Sequence, residues 1–128
     1  MPRCKYVVFC SLFLLLGHVL VKASNPWPIA IQALEDKDYL LADSLFADII
    51  TEFPSRPEAH LYRAQSRYWL KDYEQALYHL SLANPPSQQM GRAEILRAYC
   101  HYNLGEVDKA RFIMEDIVLH YEDLRDSA

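Results

Sequence analysis

Apolar residues in this chain recur at helical rather than alternating spacing, in blocks separated by turn-forming residues. After Pro57, the residues Leu61, Ala64, Tyr68 and Leu70 mark one near-helical stripe. Lys71-Asp72 breaks the pattern, and Tyr73, Ala76, Leu77 and Leu80 mark a second stripe. Pro57 suits a helix start, because the N–H that it lacks would be unpaired there. Asp72, with Gln75 three residues later, predicts an N-cap for the second helix. Further along, Leu104-Gly105-Glu106 marks the next break, with Gly105 as the helix terminator. Pro54 and Pro57 separate the first pair of helices from the second, and Asn84-Pro85-Pro86 separates the second from the third.

The blocks repeat at a constant step of about 34 residues. Ala30, Ala64 and Ala98 share one column, and Ala42, Ala76 and Ala110 share another. Tyr39, Tyr73 and Val107 keep the same step, as do Asp38, Asp72 and Glu106; Leu34, Tyr68 and Tyr102; and Phe46, Leu80 and Met114. Small side chains let antiparallel helices approach closely, so Ala64 and Ala76 are expected to face each other, with Leu80 filling the wider gap beyond. The expected fold is therefore all-α, an α-solenoid of three tandem helix-turn-helix units over about residues 25–56, 57–90 and 91–124.

These columns resemble the tetratricopeptide repeat (TPR) family. The resemblance rests on the alanine columns; on the turns Lys37-Asp38-Tyr39, Lys71-Asp72-Tyr73 and Gly105-Glu106-Val107; on the large residues Phe46, Leu80 and Met114; and on Pro54 closing the first unit. Pro26 and Pro28 predict a short first helix, and Arg67 and His101 stand where the family carries an aromatic residue. The resemblance implies that the first helix of each unit lines a concave face that holds peptides. It places Trp27, Leu61, Gln65, Tyr68, Trp69, Tyr99, Tyr102 and Asn103 there as the candidate contacts. Large rigid rings bury much area at small entropic cost, which suits a peptide with bulky side chains. The columns in which some relatives carry Lys and Asn to grip a terminal carboxylate hold Trp27, Leu61, Ile31 and Gln65, so that mode is not expected.

The N-terminus differs in kind. Arg3 and Lys5 precede an uncharged apolar run from Tyr6 to Val21, and no Asp or Glu occurs before Glu35. This reads as a signal peptide over residues 1–23, cleaved after Ala23, with a domain over residues 24–128. The rival reading retains residues 6–21 as a membrane anchor, although 16 residues span only about 24 Å as a helix. The first reading implies an exported setting, periplasmic or secreted; the rival implies a chain anchored in the membrane by its uncleaved N-terminal helix. Without residues 1–23 the chain holds 10 basic and 17 acidic residues, a formal charge of −7, which disfavours nucleic acid and anionic membranes. Only Cys100 remains of the three cysteines, so no internal disulfide is expected.

Chemistry-bearing motifs are sparse. The region has no Gly-rich phosphate loop, no two of His60, His79, His101 and His120 stand three or four residues apart, and Cys100 reads as a buried structural thiol. Neither a metal, a cofactor nor catalysis is expected. On the last helix, Ala110, Ile113, Met114, Ile117, Val118 and Tyr121 form the expected inward set, while Phe112 and Leu119 form a separate stripe open to a partner or to a homodimer. The function expected is a non-catalytic scaffold or adaptor that binds protein or peptide; the alternatives are a membrane-tethered adaptor and an accessory subunit of an enzyme or assembly.

Overall fold

The computed structural model describes residues 25–126. The signal-peptide and anchor readings fall on residues outside that range. Six helices and no strand occur among the described residues: α1 Trp27–Glu35, α2 Tyr39–Glu52, α3 Glu58–Trp69, α4 Tyr73–Leu82, α5 Ser87–Asn103 and α6 Val107–Asp126. None of these is long and apolar enough to cross a membrane.

The first helix is nine residues long, as its prolines require: Pro26 is the N-cap and Pro28 lies in the first turn. Pro57 caps α3 at φ −64°, the angle its ring imposes. Asp38 and Asp72 cap α2 and α4, accepting from the backbone N–H of Leu41 at 3.2 Å and of Gln75 at 3.4 Å. Helix α5 begins at Ser87, ahead of the expected unit boundary at residue 90, because Pro86 ends the preceding extended turn at ψ 154°.

The three short turns between paired helices share one backbone. Lys37, Lys71 and Gly105, each one repeat step from the next, have φ of 61°, 63° and 79°. The following N–H reaches back five residues in every case: Asp38 to Ala33, Asp72 to Arg67 and Glu106 to His101, each at 2.9 Å. This is the Schellman closure, and it normally wants glycine. Two of the three copies carry lysine there and bear the left-handed strain.

Neighbouring helices pack in sequence order, and α3 also touches α5. Two apolar clusters form. The first holds Ala30, Ala33, Ala42, Phe46, Ile49 and Ala59; the second holds Leu61, Ala64, Ala76, Leu80, Ala93 and Cys100. Ala30, Ala64, Ala42 and Ala76 are wholly buried and Ala98 and Ala110 nearly so, as the close-approach argument requires.

The last helix departs from expectation. Ala110 is buried and Ile113 and Ile117 are half-buried, but Met114, Val118 and Tyr121 are 40%, 55% and 70% exposed. Phe46 and Leu80, in the same column as Met114, are 0% and 2% exposed. The reason is the number of neighbours: α2 and α4 are each covered by a following helix, whereas α6 packs on α5. Phe112 and Leu119 are also exposed, at 71% and 62%.

Candidate functional site

A groove of about 420 Å³ runs between α3 and α5. Helix α3 supplies Leu61, Tyr62, Gln65, Tyr68 and Trp69, and α5 supplies Gln89, Arg92, Ile95, Leu96 and Tyr99. Five of the eight residues singled out from the sequence, Leu61, Gln65, Tyr68, Trp69 and Tyr99, therefore meet in one place. They do so because residues one or two helical turns apart share a face, and because α3 and α5 repeat the same face one unit apart.

The rings form a connected set. Trp69 stacks on Tyr39 with centroids 5.6 Å apart and planes 12° apart, and meets Tyr68 edge-on at 5.3 Å. Tyr68 also touches Tyr73 and Tyr99, at 5.6 and 6.3 Å. Burial raises the Tyr68 hydroxyl pKa above its usual value, while a hydrogen bond from Asn103 pulls it back. Trp69 nevertheless keeps 54% of its surface and Tyr99 48%. Rings anchored by one another and still exposed can receive a side chain without first paying an ordering cost. The buried Oε1 of Gln89 finds no partner within the protein.

The other three residues lie elsewhere. Trp27 is half-buried in the first cluster, edge-on to Phe46 and Tyr62 at 5.7 and 5.5 Å, with the Arg56 guanidinium 5.3 Å above its ring. Tyr102 lines a second, smaller groove of about 300 Å³ between α5 and α6. Asn103 binds the Tyr99 carbonyl at 2.8 Å and braces the groove's end. Gln89 and Arg92 of the groove have no counterpart in the sequence reading, because they lie in the first turns of α5, near the boundary with the preceding unit.

Polar contacts join the units. Asp43, 7% exposed, accepts from Arg63 Nε at 3.0 Å and from Arg67 Nε and a terminal guanidinium nitrogen, each at 2.7 Å. Arg67 also donates to Asp72 at 3.1 Å and, held by these carboxylates, stays protonated above even its ordinary range. His101, one step on from Arg67, meets Glu106, one step on from Asp72, at 2.5 Å. Arg67 and His101, 34 residues apart, thus each reach the acid five residues ahead. His60 and His79, 19 residues apart in sequence, stack with Nδ1 atoms 3.0 Å apart. Burial, with Arg63 nearby, lowers both pKa values, that of His79 to about 4. One neutral ring donating its N–H to the other accounts for the contact. Among the described residues no cluster of three metal-ligating side chains occurs.

Cys100 is fully buried, and burial pushes its thiol up to about 11. A thiol held protonated is a poor nucleophile and a good packing residue.

Comparison with protein-family models, with curated proteins and with solved structures finds no match.

Proposed function

We propose that the chain is an exported, non-catalytic scaffold of three TPR-like units stacked as an α-solenoid, and that the groove between α3 and α5 holds a peptide segment of a partner protein. The observation that carries this reading is the groove itself: five residues chosen from the repeat register line one cavity of about 420 Å³. Its rings suit bulky apolar side chains, Arg92 suits an acidic one, and the unpartnered Gln89 Oε1 suits a peptide N–H. The repeat reading is supported by the shared turn geometry at Lys37, Lys71 and Gly105. Arg3, Lys5 and the uncharged run from Tyr6 to Val21 support export, either with cleavage after Ala23 or with residues 6–21 kept as an anchor. The measured N-terminus of the chain recovered from its source separates these two.

The groove is tested by selecting peptides from a display library against the full chain and measuring their affinity by titration. The double change Tyr68→Ala and Trp69→Ala weakens the selected peptides at least tenfold, while Tyr102→Ala, outside the groove, leaves them unchanged. Unaltered binding in the double variant refutes the assignment.

A further inference from the structure

Every place that receives a helix in the first two units is present again in the third, and there no helix among the described residues fills it. Helix α3 enters the seat made by α1 and α2 with Ala59, Tyr62 and Ser66, the first and last of these wholly buried. Helix α5 enters the seat made by α3 and α4 with Ala93, Leu96 and Cys100, which occupy the same columns one unit later. The third seat, between α5 and α6, is a groove of about 300 Å³ lined by Tyr102, Val107, Ala110, Arg111 and Met114 among others. Its columns change from covered to open. Leu34 and Tyr68 are half-buried and Tyr102 is 62% exposed; Tyr39 and Tyr73 are half-buried and Val107 is 53% exposed.

The described residues do not fill this seat in register. One step on from Ser87–Arg92, where the preceding unit starts its incoming helix, lie residues 121–126, and these still belong to α6. A second copy stacked head to tail fits poorly as well. Its first helix and the residues leading into it would offer Asn25, Pro28 and Gln32 at the three inserting places, two amides and a proline where the internal helices offer a small, a large and a small residue.

Charge says what does fit. In the first seat Asp43 meets Arg63 and Arg67 of the incoming helix. In the second the same place is Leu77, and Arg97, in the column of Arg63, pairs instead with Glu94 of its own helix at 3.4 Å, its buried Nε finding no partner. In the third the place is Arg111, 66% exposed and held along its own helix by Asp108 at 2.8 Å and Glu115 at 4.0 Å. The sign at this place has reversed. We infer that the end face between α5 and α6 seats a helix of another protein, one with a small residue, a large apolar residue three places on, a small residue four places further, and a carboxylate where α3 carries Arg63. This rests on the repeat register and not on the groove between α3 and α5, with which the seat shares Tyr99.

The test uses the chain's own α5 as a probe. A labelled peptide of residues 87–103 with Cys100→Ser, as in the Ser66 column, is titrated with the full chain, once with Arg97 and once with Arg97→Glu. The Arg97→Glu peptide binds about tenfold more tightly, because its carboxylate meets Arg111. Arg111→Glu in the chain reverses that order, and Met114→Glu weakens both peptides; both positions are exposed, so the fold survives, as circular dichroism checks. Tyr68→Ala with Trp69→Ala leaves peptide binding intact. Equal affinity of the two peptides, no binding of either at millimolar concentration, or an order that survives Arg111→Glu overturns the inference. Loss of binding in the Tyr68→Ala and Trp69→Ala variant overturns it too, and places the peptide in the other groove. A chain that sediments as a dimer until Met114→Glu disperses it also overturns it, since a second copy is then the occupant.

Discussion

Removing the carboxylate of Asp43 should weaken the join between the first two helix pairs. The side chain is 7% exposed and takes three charge-assisted hydrogen bonds, at 3.0, 2.7 and 2.7 Å, from two arginines of the next unit. Asp43→Ala leaves both guanidinium groups facing a small cavity without their shared acceptor. Breaking a buried pair from one side costs about 3–5 kcal/mol. Here Arg63 and Arg67 keep 22% and 26% of their side-chain surface in water, and Arg67 retains Asp72, so about 2–3 kcal/mol is the better figure. For roughly 100 ordered residues that lowers Tm by roughly 10–20 °C. Urea unfolding followed by circular dichroism measures it at neutral pH. A double-mutant cycle with Arg67→Ala should give a coupling of about 1–2 kcal/mol, because the pair shares two of the three bonds. A loss below about 0.5 kcal/mol for Asp43→Ala, the size of an ordinary surface change, or an additive cycle, would show that solvent competes for the arginines. The bridge between the first two units would then be apolar alone.

Acid should weaken the fold through the paired imidazoles. Folding holds His79 near pKa 4 against an ordinary 6.5, so the unfolded chain takes up its proton first, and stability present above pH 6.5 is lost as the pH falls toward 4. The loss is roughly 2–3 kcal/mol, and His79→Leu, which copies the apolar Leu45 and Ile113 of its column, should flatten this part of the curve; an unchanged pH profile in that variant refutes it. Lys71→Gly should stabilise by about 0.5 kcal/mol, since φ of 63° strains any side chain, whereas Gly105→Ala should cost about 1 kcal/mol although its methyl would meet nothing within 4 Å; thermal melts of the two should move in opposite directions. Iodoacetamide should label Cys100 in the native chain at a rate that rises steeply with urea, and rapid labelling without urea would contradict its burial.

What the repeat holds constant is readable from the chain alone, and what it varies is not. The aspartate caps and the glycine at the third turn follow from local rules, because each answers to a backbone need within five residues, and the buried alanines follow from their repeated columns. Lys37 and Lys71 at the same left-handed place do not, since lysine carries no signal for positive φ; only their register with Gly105 marks them. Asp43 escapes a sequence reading for another reason. Its partners lie 20 and 24 residues away, on the next unit, and no helical period connects them. The histidine pair escapes likewise, because a spacing of 19 residues means nothing until α3 and α4 fold back on each other.

The misplacement of Met114, Val118, Tyr121 and Tyr102 carries a more general point. Periodicity reports which face of a helix is apolar, but burial depends on what lies against that face. In the first two units the same pattern is covered from both sides; in the third it is covered from one, so identical spacing yields 0% and 2% exposure at Phe46 and Leu80 and 40% at Met114. A repeat therefore supplies its own control. The interior copies show what the apolar face is shaped to receive, and in the third copy no helix among the described residues covers that face. Columns that stay apolar across all three units record close packing within each pair, while a column that runs Asp43, Leu77, Arg111 records three different incoming surfaces. Two of those surfaces belong to this chain: Arg63 and Arg67 meet Asp43, and Arg97 in the next unit pairs with Glu94 of its own helix at 3.4 Å. The third has the opposite charge beneath it, and a helix drawn from the same mould as α3 or α5 would set arginine against arginine there. If a partner helix takes that seat as proposed, Arg111 would also act against the chain's own helices, since specificity rests on exclusion as well as on attraction.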